Sequence, residues 1–147
     1  ELLITVGIIS VVATVAMPLA EISVQRNKEV ELKRSLRQIR EGIDAYKRAA
    51  DEGRIERKAG AAGYPPTLRA LVEGITDARS PDGAKLYFLR RIPRDPFARD
   101  ASLPPEQTWG KRSHGSPPDH PQSGDDVFDV YSLPRGLGLN GVPHKEW

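Results

Sequence analysis

Three histidines, a scatter of aspartates and no cysteine are the groups in this chain that could do chemistry. His114, His120 and His144 lack the helical i, i+4 spacing by which two imidazoles reach one zinc ion. Each sits in a stretch interrupted by proline or glycine, so all three are read as solvated loop side chains. Asp119, Asp125, Asp126 and Asp129 are the ligand type a hard cation takes. Asp119 lies in a proline-rich stretch, however, and the other three stand at a strand entry, where charge also protects an open edge. A phosphate-binding glycine loop, a nucleophile elbow and a Cys–His pair are all absent from the sequence. No catalytic residue is assigned, and no enzyme is expected.

The remaining chemical group is Glu1, and its neighbours make it unusual. It heads "ELLITVGIISVVATVAMPLA", in which Leu2 to Ala20 carry no formal charge. Nineteen residues make about 28 Å of helix, close to the hydrocarbon thickness of a bilayer. A buried core helix would be shorter or keep a polar stripe, and Thr5, Ser10 and Thr14 do not make one. A cleaved signal peptide would start with basic residues and end on a small-x-small site, neither of which is found. A carboxylate near the bilayer interior costs about 2.5–3.5 kcal/mol on insertion scales. Glu1 therefore either lies among headgroups or is kept to pair with a cation on another subunit. Pro18 removes a helical hydrogen bond and clashes one turn back, so a kink or break is expected there.

The elements that must carry this segment follow. Leu32, Leu36, Ile39, Ile43, Tyr46 and Ala50 recur at spacings of four, three, four, three and four, an amphipathic helix with one apolar stripe. Glu29 with Lys33, Arg40 with Asp44, and Asp44 with Arg48 are read as i, i+4 pairs on its solvated face. Gly53 should end it. Anchor and amphipathic part together predict one kinked rod of about 75 Å from Leu2 to near Asp51. Residues 53–63 read as a loop, and "PTLRALVE" (66–73) as a short helix with Leu68, Leu71 and Val72 inward. Tyr64, Tyr87, Phe88, Phe97 and Ile92 should bury against the rod, and "VFDVYSL" (127–133) is the best strand. Between them, 101–124 is a Pro/Ser/Gly-rich insertion in which only Trp109 could anchor to a core. The chain thus divides into a membrane or filament-core segment at 1–20, an amphipathic continuation at 21–52, and a head at 53–147. Its charges are interleaved at a net +2, which does not suggest nucleic acid.

These pieces resemble the type IV pilin-like proteins, most closely the major, G-type pseudopilins of type II secretion systems. The acid-led apolar run with Pro18 carries the first resemblance. "GYPPTLRALVE", "LYFLRRIPRDPFARD" and "DVFDVYSL" with Trp147 carry the second. The resemblance implies an α+β fold, a long kinked N-terminal helix packed on a small antiparallel sheet with long loops. It implies a structural subunit, held single-pass in the inner membrane with a periplasmic head, that polymerises with itself into a helical filament driving secretion. Leu2, Leu3, Ile4, Val6, Ile8, Ile9, Val11 and Val12 would then pack the filament core. Glu1 would neutralise a neighbour's N-terminal amine, and Pro18 would mark a local loss of helix in the filament.

Further implied partners are membrane lipid, minor pseudopilins, an inner-membrane assembly platform and a prepilin peptidase. The peptidase would cut a short basic leader after glycine, a few positions upstream of Glu1, before a methylated aromatic. A type IV pilin, major or minor, and a membrane-anchored periplasmic binding module stay open as alternatives. The family often holds calcium in the loop after its last strand. In this chain that loop is "SLPRGLGLNG", with Ser132 and Asn140 as its only oxygen-bearing side chains and a cation at Arg135. Calcium takes about six to eight oxygens, charged ones by preference, so no loop calcium and no cofactor is expected. Leu137 and Leu139 are expected to close the loop by apolar contact instead.

Overall fold

The computed structural model describes the backbone of residues Glu1–Trp147 and all side chains outside residues 15–17. Helix α1 (Leu2–Asp51) takes up 50 residues, about 75 Å of helix. The predicted stripe of Leu32, Leu36, Ile39, Ile43, Tyr46 and Ala50 is buried along its whole length. The helix stops where expected. Gly53 adopts φ 69°, a left-handed conformation that costs glycine little, and its N–H caps the Ala50 carbonyl at 3.1 Å. α1 is helical through Pro18, so the break expected there from the missing hydrogen bond is not formed in this chain.

The head folds around the C-terminal half of α1. Helix α2 (Ala70–Glu73) is shorter than the 66–73 expected, because residues 66–69 form turns in which Thr67 Oγ1 accepts the Ala70 N–H at 3.3 Å. Strands β1 (Ile75–Thr76) and β2 (Lys85–Leu86) pair antiparallel, with Ile75 opposite Leu86. Strands β3 (Trp109–Arg112) and β4 (Asp129–Ser132) form the second antiparallel pair, with Trp109 opposite Ser132 and Arg112 opposite Asp129. This is the α+β layout expected: one long helix against small antiparallel sheets. Leu68, Leu71, Leu89, Trp109, Val127 and Val130 close over the stripe as a single core. Gly42 lets the head approach α1 closely, since a Cβ there would stand 2.9 Å from Leu89 Cγ.

The 101–124 stretch contains β3, which builds half of the main ribbon, and Trp109 anchors it to the core as expected. "WGKR" shows no apolar alternation, and the strand forms because β4 offers it a partner and the core takes Trp109. Trp109 Nε1–H also donates to the Pro93 carbonyl at 2.8 Å. Tyr87 is 64% exposed rather than buried. At the exit of β2 successive side chains point to opposite sides, so Phe88 meets Tyr46 with ring centroids 5.3 Å apart. The Tyr87 ring instead lies over Gly74, where a Cβ would clash at 2.6 Å.

Candidate functional site

The apolar third of α1 stands apart from the head. Leu2, Leu3, Ile4, Val6, Ile8, Ile9, Val11 and Val12 are all exposed, from 56% at Val6 to 89% at Leu3. This part of the helix is long and apolar enough to cross a membrane, with mean hydropathy 2.4 over its most apolar window and none of that window buried. Its hydroxyls are already satisfied. Thr5 donates to the Glu1 carbonyl at 3.0 Å, Ser10 to Val6 at 2.9 Å and Thr14 to Ser10 at 2.8 Å. In hydrocarbon such back-bonding removes the cost of an unpaired hydroxyl. Glu1 makes no side-chain cap with the helix it heads, so its carboxylate is available to another cation.

Where the head meets the neck of α1, a buried carboxylate organises the C-terminal loop. Glu29 Oε1 accepts the Leu139 N–H at 2.8 Å and Gln25 Nε2–H at 3.0 Å, and lies 3.5 Å from His144 Nε2. Gln25 Nε2–H also donates to the Leu137 carbonyl at 3.1 Å. Burial pushes the Glu29 carboxyl up, but the hydrogen bonds from Gln25 and the Leu139 N–H, with the His144 imidazole close by, together outweigh it and hold it below its ordinary value. The loop is tied across itself as well. The His144 N–H donates to Gly136 at 3.0 Å and Gly138 N–H to Val142 at 2.8 Å, while Asn140 Oδ1 accepts the Val142 N–H at 3.1 Å. His144 is buried, stacked on Phe97 at 4.2 Å and edge-on to Trp147 at 4.9 Å.

These contacts correct three readings. His144 is not a solvated loop residue, although His114 and His120 are exposed. Leu137 and Leu139 do not close the loop, being 62% and 46% exposed; polar contacts to α1 close it. Glu29 does not belong to the solvated face of the helix. Arg40 is half-exposed but pairs away from Asp44: its Nε–H donates to Asp129 Oδ1 at 2.8 Å and its Nη2–H to the Trp147 carbonyl at 2.8 Å.

Comparison of the chain with family models, curated proteins and solved structures returns no match.

The four aspartates each have their own surroundings. Asp129 pairs with Arg40 and lies 3.7 Å from Arg112, Asp126 accepts the His114 N–H at 2.8 Å, Asp119 faces His120 at the surface, and Asp125 is exposed. The most deeply buried acid is a different one. Asp95, 1% exposed, accepts Ser132 Oγ–H at 2.6 Å and the Phe97 N–H at 2.8 Å, and its own N–H donates to Thr108 Oγ1 at 3.1 Å. This network welds the "PRDPF" turn to β4. Neither Glu29 nor Asp95 was expected at a structural centre. Glu29 had a signal, since it lies three residues before Leu32 in phase with the stripe. Asp95 had a weaker one, the Asp two residues ahead of an aromatic that forms an Asx turn.

Proposed function

We propose that the chain is a structural subunit of a type II secretion pseudopilus, held single-pass in the inner membrane with its head in the periplasm until it polymerises. The observation that carries this reading is the division of α1. One continuous helix has one face covered by a head from Glu29 onward, and opens with an acid-led apolar run whose side chains from Leu2 to Thr14 and from Pro18 to Ala20 are exposed. An exposed apolar rod of this size must be covered by lipid or by copies of itself. Stacked copies bury the side chains from Leu2 to Val12 against one another. Glu1, pulled into that core, then requires a cation, and the amine of a neighbouring subunit is the one repeated at the right place. A prepilin peptidase, minor pseudopilins and an assembly platform belong to the same reading. The head supplies shape and contacts rather than catalysis.

The experiment is Glu1→Ala in cells that overproduce the protein, scored for sheared-filament yield and membrane content together. Membrane content should hold or rise, because the inserted helix loses a charge. Filament yield should collapse, because the neighbour's ammonium is left buried without a partner. Normal filament yield from Glu1→Ala rejects the pairing role.

A further inference from the structure

The loop that Glu29 ties down turns apolar side chains outward. Leu133, Leu137, Leu139 and Val142 are all exposed. Leu133 and Leu137 share one depression with Pro134, Pro143, Arg135 and Lys145, so apolar surface is framed by two cations. Neither cation takes part in an ion pair among the described residues. The acids nearby are Asp100, across the adjoining groove that Arg99 and Arg135 also line, and Glu146, next in sequence to Lys145. Glu29 lies beneath the loop and is already bonded. An apolar patch with a basic rim calls for an anionic, amphipathic partner.

Its height along α1 names that partner. The loop is fixed to the helix at Gln25 and Glu29. Gln25 is five residues beyond Ala20, about 7.5 Å of helix rise. The headgroup layer on each side of a bilayer is about 5–7 Å deep. With Leu2–Ala20 across the hydrocarbon, the loop backbone at Leu137 stands at the outer edge of the headgroups and its side chain is within reach of the layer, whereas Leu139, held at Glu29 about 13.5 Å beyond Ala20, stands above it. A helix tilt of about 20°, ordinary for a single span, brings one side of the head lower still.

We propose that the Leu133–Lys145 region is a second membrane contact, in which Arg135 and Lys145 engage the phosphates of anionic phospholipid while Leu137 enters the headgroup layer. The proposal rests on the reading of residues 2–20 as a membrane span. It gives the subunit two points of attachment before assembly, and extraction from the bilayer would free the patch.

The chain has no cysteine, so single cysteines can carry spin labels without further engineering. Full-length protein labelled at Thr14→Cys, Leu137→Cys or Glu52→Cys is reconstituted into phosphatidylcholine vesicles with and without phosphatidylglycerol. Accessibility to an aqueous nickel relaxant is then read at each site. The Glu52 label, about 40 Å further along α1 than Gln25, reports open water. At Leu137 in anionic vesicles, accessibility should fall at least about threefold below Glu52, given two cations at the surface. It should recover in phosphatidylcholine alone, and in Arg135→Glu/Lys145→Glu protein. A Leu137 label as accessible as Glu52 in anionic vesicles, with Thr14 protected, overturns the loop contact and leaves the span standing. An accessible Thr14 label overturns both. Protection at Leu137 that ignores lipid charge and follows protein-to-lipid ratio assigns the patch to a second copy of the chain, and overturns the lipid contact.

Discussion

Replacing Glu29 with alanine should release the C-terminal loop while leaving the rest of the head folded. The side chain is buried and its Oε1 is the acceptor for the Leu139 N–H at 2.8 Å. A hydrogen bond to a charged group is worth about 1.5–3 kcal/mol. Leu139 itself is half exposed, so water can partly replace the lost acceptor, which argues for the lower part of that range. About 2 kcal/mol of local stability, roughly a 30-fold change in an opening equilibrium, should disappear. Amide hydrogen exchange of full-length protein in detergent reads it directly. Protection at Leu139 should fall about 30-fold while Val130 in β4 changes little. Glu31→Ala, two residues away on the exposed side, is the control. The sign with pH follows from the carboxyl being held below its ordinary value of 4.5. Its contribution is complete above that value and is lost as pH falls through the lower folded value. Loop protection in the natural protein should therefore drop in acid, and Glu29→Gln should lack that acid limb. Unchanged exchange at Leu139 in Glu29→Ala would mean the loop is held by something other than this carboxylate.

Other outcomes follow from the same contacts. Ile39→Ala empties a fully buried position under the ribbon and should cost about 2–5 kcal/mol, visible as a lowered unfolding midpoint. Arg40→Met removes the donor shared by Asp129 and the Trp147 carbonyl; exchange should rise at Glu146 and Trp147, and no change there would discount this tie. Millimolar calcium followed by chelator should leave the thermal midpoint of the full chain where it was, because the loop offers hydroxyl, amide and carbonyl oxygens beside a cation; a calcium-dependent rise would revive a bound ion. In an assembled filament, density for α1 near Pro18 should lose regular helix and recover it by about Arg26, and a straight helix through that region would contradict this.

Much of the architecture could be read from local pattern. The stripe from Leu32 to Ala50 predicted which face of α1 the head would cover, because one helical face repeats every three or four residues and nothing distant has to be known. Gly53 as terminator and the strand at 129–132 were legible for similar reasons. What stayed hidden depends on contacts far apart in sequence. "WGKR" becomes a strand only through β4, and Arg40 leaves its helical neighbour Asp44 for Asp129 because a strand edge arrives beside it. Glu29 looked like half of a surface ion pair with Lys33, yet the loop covers it and supplies the Leu139 N–H, while Gln25 one turn earlier supplies the other donor. The apolar acid-led start of the chain was clear in composition, but what covers it is a matter of partners, which a lone chain does not contain.

The bond from Arg40 to the Trp147 carbonyl has a bearing on how the protein is made. It joins residues 107 apart in sequence, and Glu29 reaches Leu139 across a gap of 110. Closing such long loops costs chain entropy before any contact repays it. A ribosome delivers α1 first, so its apolar stripe emerges well before β4 and the final loop that cover it. Until the last few residues have been synthesised, the nascent head has an uncovered greasy face and an unpaired strand, the kind of species that aggregates. The head should thus fold late and in one step, and a chain stopped short of His144 should be a substrate for chaperones and proteases rather than a smaller folded protein.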